Sequence, residues 1–500
     1  MKIPSLIAIL ALFSGALFAT EKNVIFIITD DESPTLGCYG DPVAKTPAID
    51  AIAADGTLFL NAFATTASCS ASRSVVMSGL HNHLNGQYGH QHSYHKFSSF
   101  YSVTPFALPR VMQNAGYRTG HIGKYHVAPE QVYRYETYFK ASGRNAVEMA
   151  EKSKGFINAE SDKPFFLYFA TSDPHRGGGK DETSELELKA DLFGNLPNKE
   201  FHKGVDEVFY DPATLPIPHF LPETPETREE LAQYYQSVSR IDQGVARLVE
   251  ILKEADLYDK TMIIFTSDHG MAFAGGKTTV YEGGLRVPFI VRNPYEEKRG
   301  VKHQGMISHV DITPSILDFA GGLDPETNAP KKKKNYKALY KGSELAKDNL
   351  GPNIEAYHGK SWLSILGNPE AEHWETIFAS HTFHEIQMYY PMRVVRDKNY
   401  KLIWNIAHDL PYPFASDLWA ASSFQAQYQQ SLDAPYGQKS VGEYIHRPEF
   451  EFYRIDEDPF EAKNLASNPD YREEMIRYQE KLKAFQEEMK DPWIMKWDYE

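Results

Sequence analysis

Residues Asn23–Glu32 read NVIFIITDDE, an apolar run that ends in three consecutive carboxylates. A strand that is apolar at almost every position is typical of a parallel sheet that is covered on both faces. We therefore predict a buried strand over Asn23–Thr29. In open α/β sheets, binding sites form beyond the carboxyl ends of the strands, which is where Asp30 and Asp31 lie.

The same alternation continues along the chain. Further strands are predicted at Thr119–Gly123, Phe165–Ala170 and Met262–Thr266, and amphipathic helices at about Phe106–Ala115 and Thr227–Ala255. Apolar strands that alternate with helices predict an α/β fold, with a large, mostly parallel sheet between helices. The three most apolar strands are each followed by acidic residues or histidines. One such ending would be ordinary turn chemistry, but three favour a site.

The composition divides the chain into three parts. Residues 1–20 have a short basic start, an apolar core and the small-residue exit Ala16–Ala19, so we predict a secretory signal peptide. Residues 21–375 contain the alternating strands and helices and form the predicted large domain. Residues 376–500 contain short strand-like runs such as Tyr400–Trp404 and a last helix at about Asp470–Met489, which predict a smaller antiparallel sheet with a helix on it.

Charge and cysteine content limit the possible functions. The net charge of −15 argues against a broad basic face for nucleic acid, so any anion site must be a local pocket of basic side chains. No later run is apolar enough to span a membrane, and a secreted or periplasmic protein is expected. Two cysteines, Cys38 and Cys69, cannot form a disulfide framework. The run Lys331–Lys334 is interpreted as a solvated surface segment, with guidance of a polyanion as the alternative.

Cys69 lies in the stretch Thr66–Gly79, which reads TASCSASRSVVMSG. Small residues before an apolar helical turn are typical of a tight loop that enters a helix N-terminus, where free N–H groups favour an anion. A cysteine at that position is expected to be partly exposed and to have a lowered pKa, as chemically active thiols do. The alternative is a buried, inert cysteine beside a helix cap.

The carboxylates that follow two strands are candidate metal ligands. A turn at the end of the first strand can bring Asp30 and Asp31 together, and Asp268 and His269 follow another strand. Three carboxylates suit a hard cation such as calcium, whereas His269 leaves a transition metal as the rival. These residues could also be ordinary caps and turn residues.

Basic side chains near the strand ends could bind an anion or move a proton. The candidates are Arg73, Lys124, His126, His175 and Lys277. Each of them alone would more often be a solvated surface residue. A histidine-rich tract is interpreted as structural, because it lacks the helical pair at i, i+4 with a carboxylate that hydrolytic zinc sites use. Its members are His81, His83, His90, His92 and His95.

The segment Cys69–Arg73 resembles the C-x-P/A-x-R signature of the type I sulfatases, with Ala71 where proline is commoner. The resemblance implies an alkaline-phosphatase-like fold and a sulfuric ester hydrolase. It also implies that a maturation enzyme oxidises Cys69 to Cα-formylglycine (3-oxoalanine), whose hydrated aldehyde is the nucleophile. By the same resemblance the calcium ligands are Asp30, Asp31, Cys69, Asp268 and His269. Arg73 would steady the formylglycine, Lys124 and Lys277 would bind sulfate, and His126 and His175 would transfer protons.

Within that family, segments of both domains resemble the sulfamidases, which are heparan N-sulfatases. Asp173–Arg176 and Tyr390–Arg393 are two such segments. The resemblance implies N-sulfoglucosamine as the first candidate substrate and places His384, Glu385 and Arg393 near the sugar. The chain departs from the sulfamidases at Lys277, where they have arginine, and at His269, where they have asparagine.

Several functions therefore remain open at this point. The expected partner is a sulfated oligosaccharide or polysaccharide, and an O-sulfatase of an algal polysaccharide such as ulvan is the first alternative. A phosphodiesterase or phosphonate hydrolase of the same architecture is the second alternative. The third is an inactive carbohydrate-binding protein, although none of the expected site positions has been lost.

Overall fold

The computed structural model describes residues 22–91, 97–177, 192–195, 202–336, 340 and 347–498. The predicted signal peptide, together with His92 and His95, lies outside these residues. None of the helices in the described part of the chain combines the length and the apolar character that a membrane span needs.

A large mixed sheet of eight strands forms the centre of the molecule. Its strands are β1 Asn23–Thr29, β2 Thr57–Phe63, β3 Arg118–Gly123, β4 Thr137–Phe139, β5 Phe165–Ala170, β6 Thr261–Ser267, β7 Phe289–Arg292 and β8 Val301–Ser308. The order across the sheet is β4-β3-β5-β1-β6-β7-β2-β8. All neighbouring pairs are parallel except those of β7, which runs antiparallel to β6 and β2. The predicted mostly parallel sheet is confirmed.

The remaining elements flank this sheet or follow it. The helices are α1 Pro47–Ala54, α2 Cys69–Val76, α3 Asn82–Asn85, α4 Leu108–Asn114, α5 Ala146–Ile157, α6 Pro225–Glu254, α7 Glu282–Leu285, α8 Ile312–Phe319, α9 Ser416–Trp419, α10 Ser422–Tyr428, α11 Val441–Ile445 and α12 Arg472–Glu488. The other strands are β9 Leu323–Asp324, β10 Ala329–Pro330, β11 Ile377–Phe383, β12 Tyr389–Arg396, β13 Tyr400–Asn405, β14 Pro435–Tyr436, β15 Lys439–Ser440 and β16 Phe450–Arg454. Short 3₁₀ turns lie at Gly37–Tyr39, Tyr101–Val103, Pro212–Thr214, Tyr258–Lys260, His309–Asp311, Leu363–Ile365, Pro469–Tyr471 and Pro492–Trp497.

Strand β1 is buried because helices cover both faces of the sheet. Ile25 and Ile27 point into one apolar core, whereas Val24, Phe26 and Ile28 point into the core on the opposite face. Side chains alternate between the two faces of a strand. When both faces are covered, every side chain is buried, and apolar residues are favoured at every position. The continuous apolar run in the sequence has this cause.

A smaller antiparallel sheet follows the large one, with the strand order β11-β12-β13-β16. Leu402 and Phe452 on one of its faces pack against Leu482 of α12. Val394 and Ile403 on the other face belong to the same core as Ile25 of the large sheet. The predicted small sheet with its helix is confirmed, and the two sheets share one continuous core. The division into domains at residues 375 and 376 stays a proposal, and β11 begins near it at Ile377.

Candidate active site

The first part of the site is the turn at the end of β1. Asp30 and Asp31 are buried, and Asp31 has a φ of 67°, in the left-handed region that aspartate tolerates better than most residues. This turn directs both carboxylates inward, although they would point to opposite faces in a regular strand. The predicted convergence of the two side chains is confirmed by this geometry.

Asp268 and His269 reach the same place from β6, the strand beside β1. Oδ1 of Asp268 accepts the backbone N–H of Asp31 at 3.0 Å. Nε2 of His269 lies 3.1 Å from Oδ1 of Asp31 and 3.3 Å from Sγ of Cys69. Candidate ligand atoms of Asp30, Cys69 and Asp268, and likewise of Asp31, Cys69 and His269, lie within 4.8 Å of one another. The five side chains predicted as metal ligands thus form one buried cluster.

Helix α2 brings the cysteine and the arginine to this cluster. Cys69 is its first residue, as the predicted helix entry requires, and Sγ lies 3.6 Å from Oδ1 of Asp31. One turn later, Arg73 donates from Nε to Oδ2 of Asp268 at 2.9 Å and from Nη2 to Oδ1 of Asp30 at 3.3 Å. The guanidinium therefore fixes the two carboxylates relative to the start of the helix.

The expectation of an exposed cysteine with a lowered pKa is wrong. Cys69 is fully buried, and burial raises the pKa of its thiol well above the usual value. The neighbouring carboxylate of Asp31 acts in the same direction, against the ammonium group of Lys124. This environment therefore disfavours the thiolate form of Cys69.

The carboxylates of the cluster differ in their electrostatic environment. Burial disfavours ionisation of Asp30, but the charges of Lys124 and His175 outweigh it and hold its pKa well below the usual value. The pKa of Asp31 is lowered in the same way, with Lys277 as its strongest opposing charge. For Asp268 burial prevails over Arg73 and raises the pKa to about 6. Buried acids concentrated in this way are what a cation site requires.

Two lysines form the basic side of the site. Gly123, at the end of β3, has a φ of 89°, and a Cβ there would lie 1.9 Å from the carbonyl oxygen of Ala170, so only glycine allows the chain to turn there. Lys124 follows directly and pairs with Oδ2 of Asp30. Lys277 donates from Nζ to Oδ2 of Asp31 at 2.9 Å. Both predicted anion-binding lysines therefore lie at the cluster.

His175 lies between Lys277 and the cluster. Its Nδ1 faces the carbonyl oxygen of Arg176, which only accepts, so Nδ1 bears the proton and Nε2 accepts from Nζ of Lys277 at 3.0 Å. Nε2 is 3.7 Å from Oδ2 of Asp31. Burial and the charge of Lys277 lower the pKa of His175 to about 4. Because of this low pKa, a proton bound at Nε2 of His175 is readily transferred to another group.

Asp417, which the sequence interpretation missed, completes the surroundings of Lys277. It lies on α9 after the small sheet has begun, and its Oδ2 accepts from Nζ of Lys277 at 2.9 Å and lies 4.0 Å from Nε2 of His175. Burial opposes its ionisation, but Lys277 and His175 prevail and lower its pKa. Neither a motif nor sequence spacing connects positions 277 and 417, so only the fold reveals this contact.

A group of histidines forms another side of the site. The ring centroid of His90 is 4.8 Å from that of His126 and 3.7 Å from that of His384. Nδ1 of His384 is 3.1 Å from Oγ of Ser68, the residue before Cys69. Candidate ligand atoms of Cys69, His90 and His126 lie within 4.8 Å of one another. His90, interpreted from the sequence as structural, thus contacts two predicted site residues.

The two other residues predicted near the sugar are placed differently. Glu385 follows His384 in the connection between β11 and β12 and is half-buried. Arg393 is buried inside β12, where its guanidinium pairs with both carboxylate oxygens of Asp491, at 2.5 and 2.9 Å. Its remaining donors bond to groups that include the carbonyl oxygens of His381 and Met392. A role of Arg393 in sugar binding stays a prediction.

Comparison with known proteins identifies the family of the chain. The model of the sulfatase family matches residues 22–322, so the chain belongs to the sulfatase family and is a sulfuric ester hydrolase by class. It is 33% identical over 509 residues to the N-sulphoglucosamine sulphohydrolase of Homo sapiens, across 98% of this chain and 95% of that protein. It is 28% identical over 470 residues to an ulvan-active sulfatase of Formosa agariphila, across 92% of this chain and 78% of that protein.

Solved structures share the fold. A protein solved in complex with its substrate D-glucosamine-2-N,6-O-disulfate has a TM-score of 0.62 and 19% identity, over 94% of this chain and 98% of that one. The phosphonate monoester hydrolase of Agrobacterium radiobacter has a TM-score of 0.62 and 17% identity, over 94% of this chain and 96% of that one. The predicted alkaline-phosphatase-like fold is confirmed.

Proposed function

We propose that the protein hydrolyses the N-sulfate of N-sulfoglucosamine in heparan-type saccharides. The observation that carries this proposal is the 33% identity to the human N-sulphoglucosamine sulphohydrolase, which extends through both sheets over 98% of the chain. The small sheet matters for this argument because it contributes His384 and Asp417 to the surroundings of the cluster. If the similarity covered only the large sheet, it would give no argument for how the site recognises the sugar.

Calcium is the metal that we propose for the cluster. The three buried carboxylates of Asp30, Asp31 and Asp268 offer the oxygen ligands that calcium prefers, and His269 presents a further ligand atom from the end of β6. The residues that would hold the ion are Asp30, Asp31, Asp268, His269 and residue 69. When bound, the cation supplies positive charge against the sulfate oxygens.

We propose that Cys69 is converted to formylglycine by a maturation enzyme. The hydrated aldehyde would supply a hydroxyl group as the nucleophile for sulfur. The proposal is supported by the position of residue 69, which starts α2 and lies beside Asp31 and His269, at a helix N-terminus that favours an anion. Arg73 holds the helix against the carboxylates and so keeps the nucleophile aligned.

The remaining side chains bind the sulfate and move protons. Lys124 and Lys277 would each place an ammonium group on the sulfate oxygens and offset the charge that develops during transfer. His175 would take up a proton from water at Nε2 and deliver it to the departing nitrogen, while its Nδ1–H stays bonded to the carbonyl of Arg176. His126 would then accept the proton of the second hydroxyl of the hydrate, so that sulfate leaves residue 69 and the aldehyde is restored. His384 and Glu385 are proposed to face the sugar, and Arg393 is proposed to support this side of the site from within β12, where it pairs with Asp491.

Asp417→Asn is predicted to lower kcat/KM about tenfold, and Asp417→Ala about a hundredfold, because Lys277 loses a charge-assisted hydrogen bond and its position beside His175. Steady-state kinetics on an aryl sulfate would measure the change. Asp409→Asn is the matched control, since it removes one carboxylate from the same segment but its side chain is 94% exposed. Equal kcat/KM for wild type and both Asp417 variants would contradict the assignment.

The substrate assignment is tested by competition. The enzyme is offered N-sulfoglucosamine, 2-O- and 6-O-sulfated sugars and ulvan oligosaccharides at equal concentration, and released sulfate and desulfated products are quantified. We expect release from N-sulfoglucosamine to exceed that from each O-sulfate by about tenfold or more, because the sites of such enzymes discriminate by several well-placed polar contacts. Release from O-sulfates alone would disprove the N-sulfatase proposal.

An O-sulfatase of an algal polysaccharide is the second candidate. Two observations favour it: the 28% identity to the ulvan-active sulfatase, and Lys277, which offers a point charge where arginine would offer a planar fork. A preference for an aryl phosphodiester over an aryl sulfate would instead indicate the phosphonate hydrolase alternative.

We also propose that the protein is exported. The basic start and apolar core of residues 1–20 support a signal peptide. N-terminal sequencing of protein recovered from the periplasm or the medium would test this proposal, and an N-terminus that still includes the apolar core would contradict it.

A further inference from the structure

The run Lys331–Lys334 is not used by the proposed reaction. It follows β10, and all four side chains are exposed. Nζ of Lys331 donates to the carbonyl oxygen of Gly321 and Nζ of Lys333 to that of Glu355, whereas the side chains of Lys332 and Lys334 form no hydrogen bond or ion pair with the residues that the structure describes. None of the four forms an ion pair with a described carboxylate. Four exposed positive charges lie here on a protein with a net charge of −15, and the carboxylate of Asp324 lies near enough to Lys331 to feel its charge.

A groove of about 540 Å³ lies directly beside this run. Its walls include the rings of Tyr101, Phe106, Tyr336 and Tyr340. The rings are fixed in place: those of Tyr101 and Tyr340 are 4.3 Å apart, and the Tyr340 hydroxyl is 2.7 Å from Oγ1 of Thr104. A rigid concave surface with aromatic walls suits a ligand that has its own apolar faces.

Lysine and aromatic groups meet at the edge of the groove. Nζ of Lys333 lies 4.6 Å from the ring centroid of Phe106, and the guanidinium of Arg110 lies 5.5 Å from that of Tyr336. Sugar rings present flat C–H faces to aromatic rings, and their sulfate groups project from the ring edges towards cations. A sulfated glycan chain therefore matches both features, whereas an apolar peptide would match only the walls.

The groove approaches the catalytic edge of the large sheet. Tyr101 starts the 3₁₀ turn that follows Ser99, and the Ser99 N–H donates to the carbonyl oxygen of Ala128 at 2.8 Å. Ala128 follows His126 closely in the chain. The lysine run starts towards the opposite edge of the sheet: Nζ of Lys331 bonds to the carbonyl oxygen of Gly321, just after α8, and α8 ends at Phe319, whose carbonyl oxygen accepts from Nζ of Lys22 before β1. A glycan chain that occupies the groove would therefore extend away from the catalytic edge.

We propose that this groove and the run Lys331–Lys334 form a secondary, non-catalytic binding site for a sulfated glycan chain. The proposal rests on the proposed function for the identity of the glycan, but binding in the groove requires no turnover. The acidic protein repels a polyanion at long range, and the lysine run supplies the local attraction that holds the chain on the protein surface.

Binding of a size-defined heparin oligosaccharide by isothermal titration calorimetry tests the proposal, with Cys69→Ala in every protein to prevent turnover. We expect the combined variant Lys331→Gln, Lys332→Gln, Lys333→Gln and Lys334→Gln to bind about tenfold more weakly or worse, and the remaining affinity to depend less on salt. The matched control changes Lys163, Lys298, Lys302 and Lys490, which are also exposed, to glutamine. It loses the same charge and is expected to keep its affinity.

A second variant, Lys332→Glu with Lys334→Glu, changes only side chains without a described hydrogen bond or ion pair, so it breaks none of the described polar contacts. It is also expected to bind about tenfold more weakly or worse. Unchanged affinity in both run variants, or an equal loss in the control, would overturn the proposal. So would lysine-dependent binding of single-stranded DNA that is as tight as that of the oligosaccharide.

The same lysine substitutions in proteins that retain Cys69 separate this proposal from the proposed function. Turnover of a small aryl sulfate is expected to equal that of wild type, because such a substrate does not reach the groove. Loss of oligosaccharide binding with normal aryl sulfate turnover supports the secondary site. Absence of sulfatase activity in wild type would contradict the proposed function, and the binding comparison would still decide the secondary site.

Discussion

Replacement of Cys69 by alanine is expected to lower kcat on any sulfated substrate by about 10⁴-fold or more, because removal of a nucleophile leaves only the binding contribution of the site. Cys69 is buried at the start of α2, and its replacement by alanine removes only the sulfur atom, so the fold should remain. Thermal unfolding of the variant would check that stability, and kinetics on an aryl sulfate would measure the loss.

Cys38→Ala is the matched control for this change. Cys38 is the other cysteine, it is half-buried, and its backbone N–H bonds to Oδ1 of Asp50, so its side chain has no part in the cluster. Full activity is expected in that variant. Mass spectrometry of the peptide Thr66–Arg73 from active wild type should show the aldehyde or its hydrate. A fully active enzyme with an unmodified thiol at Cys69 would contradict the proposal.

The raised pKa of the Cys69 thiol bears on the same prediction. A cysteine that acted as a thiolate would gain from a lowered pKa, and burial here has the opposite effect. An aldehyde hydrate has no thiol to ionise and depends instead on the surrounding cations and on a base. The environment of residue 69 is thus better suited to a hydroxyl nucleophile than to sulfur.

The central strands could be predicted from the sequence because burial on both faces leaves a local signal. Phe165–Ala170 has the predicted limits, and Thr261–Ser267 extends the prediction by one residue at each end. The strand ends then indicated which carboxylates would meet, since parallel strands bring their carboxyl ends to one edge. Asp30 and Asp268 are close for that reason.

Contacts between the two sheets could not be predicted, because they depend on how the small sheet packs rather than on any local pattern. Asp417 lies on a helix of four residues, and nothing in its neighbourhood distinguishes it from a surface carboxylate. It reaches Lys277 because the hydroxyl of Tyr412 donates to the carbonyl oxygen of Thr278 and ties the two segments together. The pairing of Arg393 with Asp491 is equally non-local, because it depends on how the segment after α12 packs against β12.

Asp268→Asn is expected to remove bound calcium and to lower kcat/KM by about 10³-fold or more, since several kcal/mol of charge stabilisation disappears with the ion. Both oxygens of Asp268 act as acceptors, Oδ1 from the backbone N–H of Asp31 and Oδ2 from Nε of Arg73. An asparagine offers one acceptor and places an NH₂ group against one of these donors. The variant therefore weakens the cluster in charge and in geometry.

Metal content and activity should fall together in that variant. Elemental analysis by inductively coupled plasma mass spectrometry would measure calcium per chain, and thermal unfolding with calcium or with a chelator would report stabilisation by the bound ion. Glu230→Gln is the matched control, because Glu230 is a buried carboxylate that pairs with Arg176 at 2.7 Å as Asp268 pairs with Arg73. The control is expected to retain its calcium, so a loss confined to Asp268→Asn would assign the ion to the cluster. Stoichiometric zinc without calcium in active wild type would instead favour the transition metal that His269 left open.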